Sequence, residues 1–212
     1  MDRDGQVLGG LLLPDGARMR SYLLWSGCVA LAFFSVYPTL NWITSLRPEP
    51  LHLYFAGELA IPFVPEMIWA YLSMYALFLM PLLFVPAAHL PALGKQLIAG
   101  TLVCGILFLL LPAELGFARE LPTHSPYAGI YAAMFDVDRP HNLVPSLHVV
   151  FTLAIGLACA QAARPLARAC VVIWVSAVVA STVLVHQHHM LDVAAALMLV
   201  FLLRRRYRVP DA

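Results

Sequence analysis

Two short stretches carry most of the side chains in this chain that could do chemistry. The first is HNLVPSLHVV, residues 141–150; the second is HQHHMLD, residues 186–192. Each sets imidazoles beside hydroxyl, amide or carboxylate groups at the edge of a long apolar run. His188 and Asp192 are spaced i,i+4, so they share a face if a helix starts there. A carboxylate on one imidazole nitrogen fixes the tautomer and leaves the other nitrogen as a nucleophile. In the first stretch, Pro145 suits the first turn of a helix, where its missing N–H costs nothing. The free N–H groups of such a turn, backed by the helix dipole, form an anion site. Ser146 adds a hydroxyl, and Arg139 just upstream adds a fixed cationic fork suited to phosphate. His148 lies within about one turn of that site, and His141 and Asn142 complete the polar mouth. One imidazole to attack, another to donate a proton and a cationic cradle are the parts that phosphoryl transfer needs.

The elements that must position these groups follow from composition. Of 212 residues, 61% are hydrophobic and 12% charged, and the mean hydropathy is +0.80. Soluble domains carry about 25% charged residues, so the chain is expected to live in lipid. A spanning helix needs roughly 20 mostly apolar residues. Six segments qualify, at about 21–44, 67–88, 96–113, 145–163, 167–186 and 189–204. The expected fold is all-α, a polytopic six-transmembrane-helix bundle forming a single domain over residues 1–212. The first segment is too long for a secretory signal and lacks a small-residue cleavage site. Cys28, Cys104, Cys159 and Cys170 lie inside apolar segments without a CxxC pair, and read as small core residues. Gly156 and Ala160 form a small-xxx-small pair suited to helix contact.

Cytoplasmic loops collect Lys and Arg. With sides alternating from the N-terminus, one side receives Arg3, Arg18, Arg20, Lys95, Arg164, Arg168, Arg204, Arg205, Arg206 and Arg208. The other receives only Arg47, Arg119 and Arg139. Both termini are therefore expected in the cytoplasm, with loops 45–66 and 114–144 outside. HNLVPSLH and HQHHMLD then emerge at one membrane depth on the outer side. Lys95 is the only lysine among 13 basic residues, a usage suggesting a GC-rich bacterial genome. The expected location is thus a cell inner membrane, multi-pass, with the site on the periplasmic side. The net charge of +1 gives no reason to expect nucleic acid as a partner.

These residues resemble the type 2 phosphatidic acid phosphatase superfamily of integral membrane lipid phosphatases and phosphotransferases. Its pattern joins K-x6-R-P, P-S-G-H or P-S-L-H, and S-R-x5-H-x3-D. P-S-L-H stands intact at Pro145–His148. Ser181, His188 and Asp192 fall at the spacing of the third piece, with Thr182 in place of its arginine. Arg139-Pro140 ends the first piece, with Ala132 in place of its lysine. The likeness covers about residues 130–205, and DRPHNLVPSLH leans toward the branch related to inositol phosphorylceramide synthases. The resemblance implies a phosphohistidine on His188, orientation of that ring by Asp192 and protonation of the leaving oxygen by His148. Arg139, Ser146 and Ser181 would lie about the phosphate. No metal or other cofactor is implied. The partners implied are a membrane lipid phosphate and, in a transferase, a lipid alcohol acceptor. With two family cations missing, Arg47, Arg119, His141 or His186 would substitute, or the substrate would carry less charge, as a phosphodiester does.

Other readings use the same residues. Asp192 could serve as a favourable charge at a helix N-terminus. His186, His188, His189 and Asp192 could hold zinc, since imidazole and carboxylate are its ligands. A small transporter or sensor could use outer histidines that titrate near neutral pH, although a proton relay needs neither the i,i+4 His–Asp pair nor Arg-Pro before P-S-L-H. Arg204–Arg206 need no role beyond anchoring the last helix inside. His52, His89 and His124 read as solvated loop residues.

Overall fold

The computed structural model describes residues 7–8, 11–12, 15–47, 49–137 and 140–208. Apart from an antiparallel pair of two-residue strands, β1 (Val7–Leu8) and β2 (Leu11–Leu12), the regular structure is helical. α1 (Gly16–Ser45) starts at Asp15, whose carboxylate accepts from the Arg18 amide at 2.7 Å. Such a cap satisfies one of the first-turn donors that the helix leaves unpaired.

The next apolar segment, expected as one span over 67–88, is broken. It forms α2 (Ile68–Leu72), α3 (Met74–Leu77) and α4 (Met80–Phe84). The breaks have local causes. Ser73 turns its hydroxyl onto the Ala70 carbonyl at 2.6 Å, competing with the helix ladder. Val85 is extended ahead of Pro86, as sterics demand of a residue before proline. α5 (Leu90–Leu110) follows. α6 (Ala128–Val137) lies in the loop expected over 114–144 and was not anticipated. The chain ends with α7 (Leu147–Ala162), α8 (Pro165–Leu184) and α9 (Met190–Arg206).

Among the described residues, three helical stretches are long and apolar enough to cross a membrane: Gly16–Ser45, Ala87–Leu110 and Pro165–Leu184. At 16 and 17 residues, α7 and α9 reach only about 24–26 Å, against a hydrocarbon core of about 30 Å. Hydropathy alone had suggested six comparable spans.

α7 is the centre of the packing, in contact with α5, α8 and α9. Gly156 faces Val175 of α8 so closely that any Cβ there would collide with it. This is the close helix approach expected of the small-residue pair. α1 packs chiefly on α5. Leu23, Leu24 and Leu31 of α1, Ile173 of α8, and Met198 and Leu202 of α9 stay exposed, giving the protein an apolar outer surface.

Candidate active site

The opening of α7 and the α8–α9 link meet. The Ser146 N–H donates to the Asp192 carbonyl at 3.2 Å, and the Thr182 carbonyl accepts from both the Gln187 and His188 amides at 3.0 Å. Those bonds fold the link back over the end of α8. His186 makes the turn with φ of 55°, a left-handed conformation uncommon for residues other than glycine.

Within this frame, His188 is nearly buried, and its Nδ1–H donates to Asp192 Oδ2 at 3.1 Å. That bond leaves Nε2 as the lone-pair nitrogen. The same oxygen accepts the His189 amide at 2.9 Å. Asp192 therefore does two jobs: it caps α9 and it orients His188. The helix-terminal reading and the chemical reading coexist. Its other oxygen, Oδ1, is buried and has no hydrogen-bond partner among the described residues.

His148, half-buried on α7, donates from Nε2 to the Tyr71 carbonyl at 3.2 Å, and its ring stacks on Tyr71 at 4.0 Å. His148, His188 and Asn142 line one cavity of about 1170 Å³, bounded elsewhere by α1, α2–α4, α5, α6 and α7. One nitrogen of each imidazole is thus held by protein, and both rings border the same space.

The other two histidines of the link are arranged differently. His189 donates from Nδ1 to Glu58 Oε2 at 3.1 Å and accepts the Gly116 amide at Nε2, 3.2 Å away. Glu58, buried in the 45–66 loop, also accepts the Met190 amide at 2.9 Å. The His189 ring is sandwiched between Tyr54 at 4.5 Å and Phe117 at 4.4 Å. Tyr54 lies so close over Gly116 that a side chain at that position would overlap its ring. His186 stacks on the other face of Phe117 at 4.0 Å and donates from Nε2 to the Ile61 carbonyl at 2.9 Å. Burial lowers the pKa of both imidazoles, against the opposing pull of Asp192 and Glu58 on His189. Neutral rings fit these hydrogen-bond roles. His52 packs at a tilt on Tyr54, centroids 3.9 Å apart, and pairs with Glu114 while remaining largely solvated. Tyr54 and Phe117 thus lock the link in place through one column of rings.

The remaining sequence candidates fall as follows. Pro145 precedes the Ser146 cap instead of occupying the first helical turn. The hydroxyl of Ser146 accepts from the Val149 amide at 3.3 Å, so it spends one lone pair on the helix it was expected to open to an anion. Asn142 ties the site to α1, accepting from the Thr44 hydroxyl at 3.0 Å and donating to the Tyr37 carbonyl at 3.3 Å. Ser181 is buried and donates back to the Val178 carbonyl at 2.6 Å. His141 is half-buried just ahead of Asn142. Arg139 lies outside the described residues. Among the cations considered as substitutes, Arg119 reaches the link, donating from Nη2 to Gln187 Oε1 at 3.3 Å, beside His188 in sequence. Arg47 is exposed. The zinc arrangement considered for His186, His188, His189 and Asp192 is not formed: among the described residues no group of three His, Cys, Asp or Glu is placed to hold a metal.

No protein-family model, curated protein or solved structure matches the chain. Sequence reasoning missed Glu58, Tyr54 and Phe117. They lie far from the motifs in sequence, and no spacing links them to the histidines. The one available signal was an acidic residue in a loop otherwise rich in prolines and aromatics.

Proposed function

We propose that the protein is an integral membrane enzyme that cleaves a lipid phosphate ester through a phosphohistidine on His188. The observation that carries this reading is the His188–Asp192 contact of 3.1 Å at the end of an apolar cavity that His148 also lines. The resemblance of Pro145–His148 and of Ser181, His188 and Asp192 to the type 2 phosphatidic acid phosphatase pattern supports it.

In this mechanism the Nε2 lone pair of His188 attacks phosphorus as the bond to the ester oxygen breaks. Asp192 takes up the charge that develops on the imidazole, and protonated His148 gives its proton to the leaving alcohol. In the second half, His148 removes a proton from water, water attacks the phosphohistidine, and phosphate leaves with His188 restored. Arg119 is the described cation best placed to compensate for Ala132 and Thr182. If a lipid alcohol replaces water, the same first half-reaction serves a phosphotransferase.

The proposed placement has six crossings, with α7, α9 and the broken 67–88 segment as the short ones. Both termini are cytoplasmic in an inner membrane, and the histidines face the periplasm. Cysteine labelling from outside sealed cells should reach a cysteine at position 52 and not one at position 95; the reverse pattern would invert the placement.

The function is tested with purified protein in detergent and a panel of lipid phosphates, with and without a lipid alcohol. Phosphate release that survives excess EDTA is expected, together with acid-labile label from a ³²P-lipid that is absent from His188→Ala. Label on both proteins, or activity restored only by added zinc, would overturn the mechanism.

A further inference from the structure

We infer that the substrate carries a single apolar chain longer than one leaflet is deep, seated in the cavity with its phosphate at His188 and its far end near α5. The inference rests on the phosphate-ester reading for the headgroup and on the cavity for the chain.

The cavity's length is the first argument. Along α1 it is lined by one stripe at three- and four-residue steps, from Trp42 and Asn41 at one end to Trp25 and Tyr22 at the other. From position 22 to position 42 the helix rises about 30 Å at ~1.5 Å per residue, close to the full hydrocarbon thickness of a bilayer. The opposite wall descends in step. Tyr71 stacks on His148 at the top. Phe78, lower down, accepts the Tyr22 hydroxyl on its carbonyl at 2.8 Å. Leu93 and Gly94 of α5 lie at the bottom. There the Trp25 ring presses on Gly94, where any Cβ would overlap it.

Polarity is the second argument. Among the described residues, Asp136 is the only ionisable Asp, Glu, Lys, Arg or His side chain in the lining apart from His148 and His188. A ligand with one polar end and a long apolar remainder matches that distribution. An ordinary two-tailed lipid of the outer leaflet does not, because its chains end at about half the hydrocarbon depth, roughly 15 Å. It would leave the Trp25–Leu93 end unfilled.

The test uses the phosphate monoester of a long linear alcohol with a diazirine at its far end, mixed with full-length His188→Ala protein in nanodiscs. Cross-links should map to the Tyr22–Val29 and Leu90–Leu97 peptides. A leaflet-length version should label near Phe33 and Phe151 instead. Labelling confined to the outer half with the long probe, or equal competition by a two-tailed phosphate ester, would overturn the inference. A second measurement uses Ala30→Trp, which places bulk halfway down. It should raise KM for the long ester by about tenfold and leave turnover of a short ester unchanged, which also reports correct folding. Equal losses for both esters would count against the chain site. If the deep cross-links form and wild-type protein releases no phosphate from any ester, the chain site stands and the phosphatase reading falls.

Discussion

His188 and His189 are adjacent in sequence and opposite in surroundings. His188 has one nitrogen on Asp192 and borders the cavity. His189 has both nitrogens engaged, by Glu58 and the Gly116 amide, and both ring faces covered by Tyr54 and Phe117. Of the described histidines at the proposed outer end, His148 and His188 are the two that line the cavity. What separates the imidazole proposed to react from its structural neighbour is therefore how many of its edges the protein has already used.

The sharpest break of this comparison is His188→Ala. General acid–base catalysis is typically worth about 10²–10⁴-fold. Loss of the nucleophile should cost at least as much, because no covalent intermediate can form; kcat on a lipid phosphate measures it. His148→Ala should fall within that range and recover in part on an aryl phosphate, whose leaving group needs little protonation, whereas His188→Ala should not recover. Asp192→Asn should fold, since an amide oxygen can still accept the His189 N–H. It should lower kcat by up to about 10⁴-fold, the scale found when a catalytic triad's carboxylate becomes an amide.

His189→Ala should instead act on stability. The buried Glu58 carboxylate would lose the hydrogen bond donated by the neutral ring; a bond to a charged group is worth about 1.5–3 kcal/mol, which should appear as a lower Tm, while the folded fraction still takes up phosphate label. His186→Asn should do least. Asparagine tolerates the left-handed turn, and losing the bond to the Ile61 carbonyl costs about 1 kcal/mol. A variant order with His189 above His188 in lost activity per folded molecule would dissolve the distinction.

Much of this was legible in the sequence. Hydropathy located the apolar segments, and residues 141–150 and 186–192, expected from loop charge at one depth, are joined by the Ser146–Asp192 bond. The i,i+4 spacing of His188 and Asp192 anticipated their contact, but α9 begins at Met190, so Asp192 meets His188 by reaching back past the His189 cap and not along a shared helical face. The misses have physical causes. Summed hydropathy cannot see a hydroxyl turned onto its own helix, so Ser73 and the broken segment around it looked like one span. Pro145 was placed one step too far along because Ser146 is the better cap. The partnership of Glu58 and His189 joins residues 131 apart, and no local pattern encodes it.

The shortness of α7 sets a condition on the membrane itself. His148 is its second residue, and in the proposed six-crossing placement about 24 Å of helix separates the two ends that would meet water. A bilayer of ordinary thickness therefore exceeds α7 by several ångströms. Either the ester group sinks below the headgroup plane or the lipid around the site thins, at a fraction of a kcal/mol per ångström. Thickness then becomes a control parameter: thin bilayers should present the phosphate at the level of the imidazoles, and thick, sterol-stiffened ones should hold it above them.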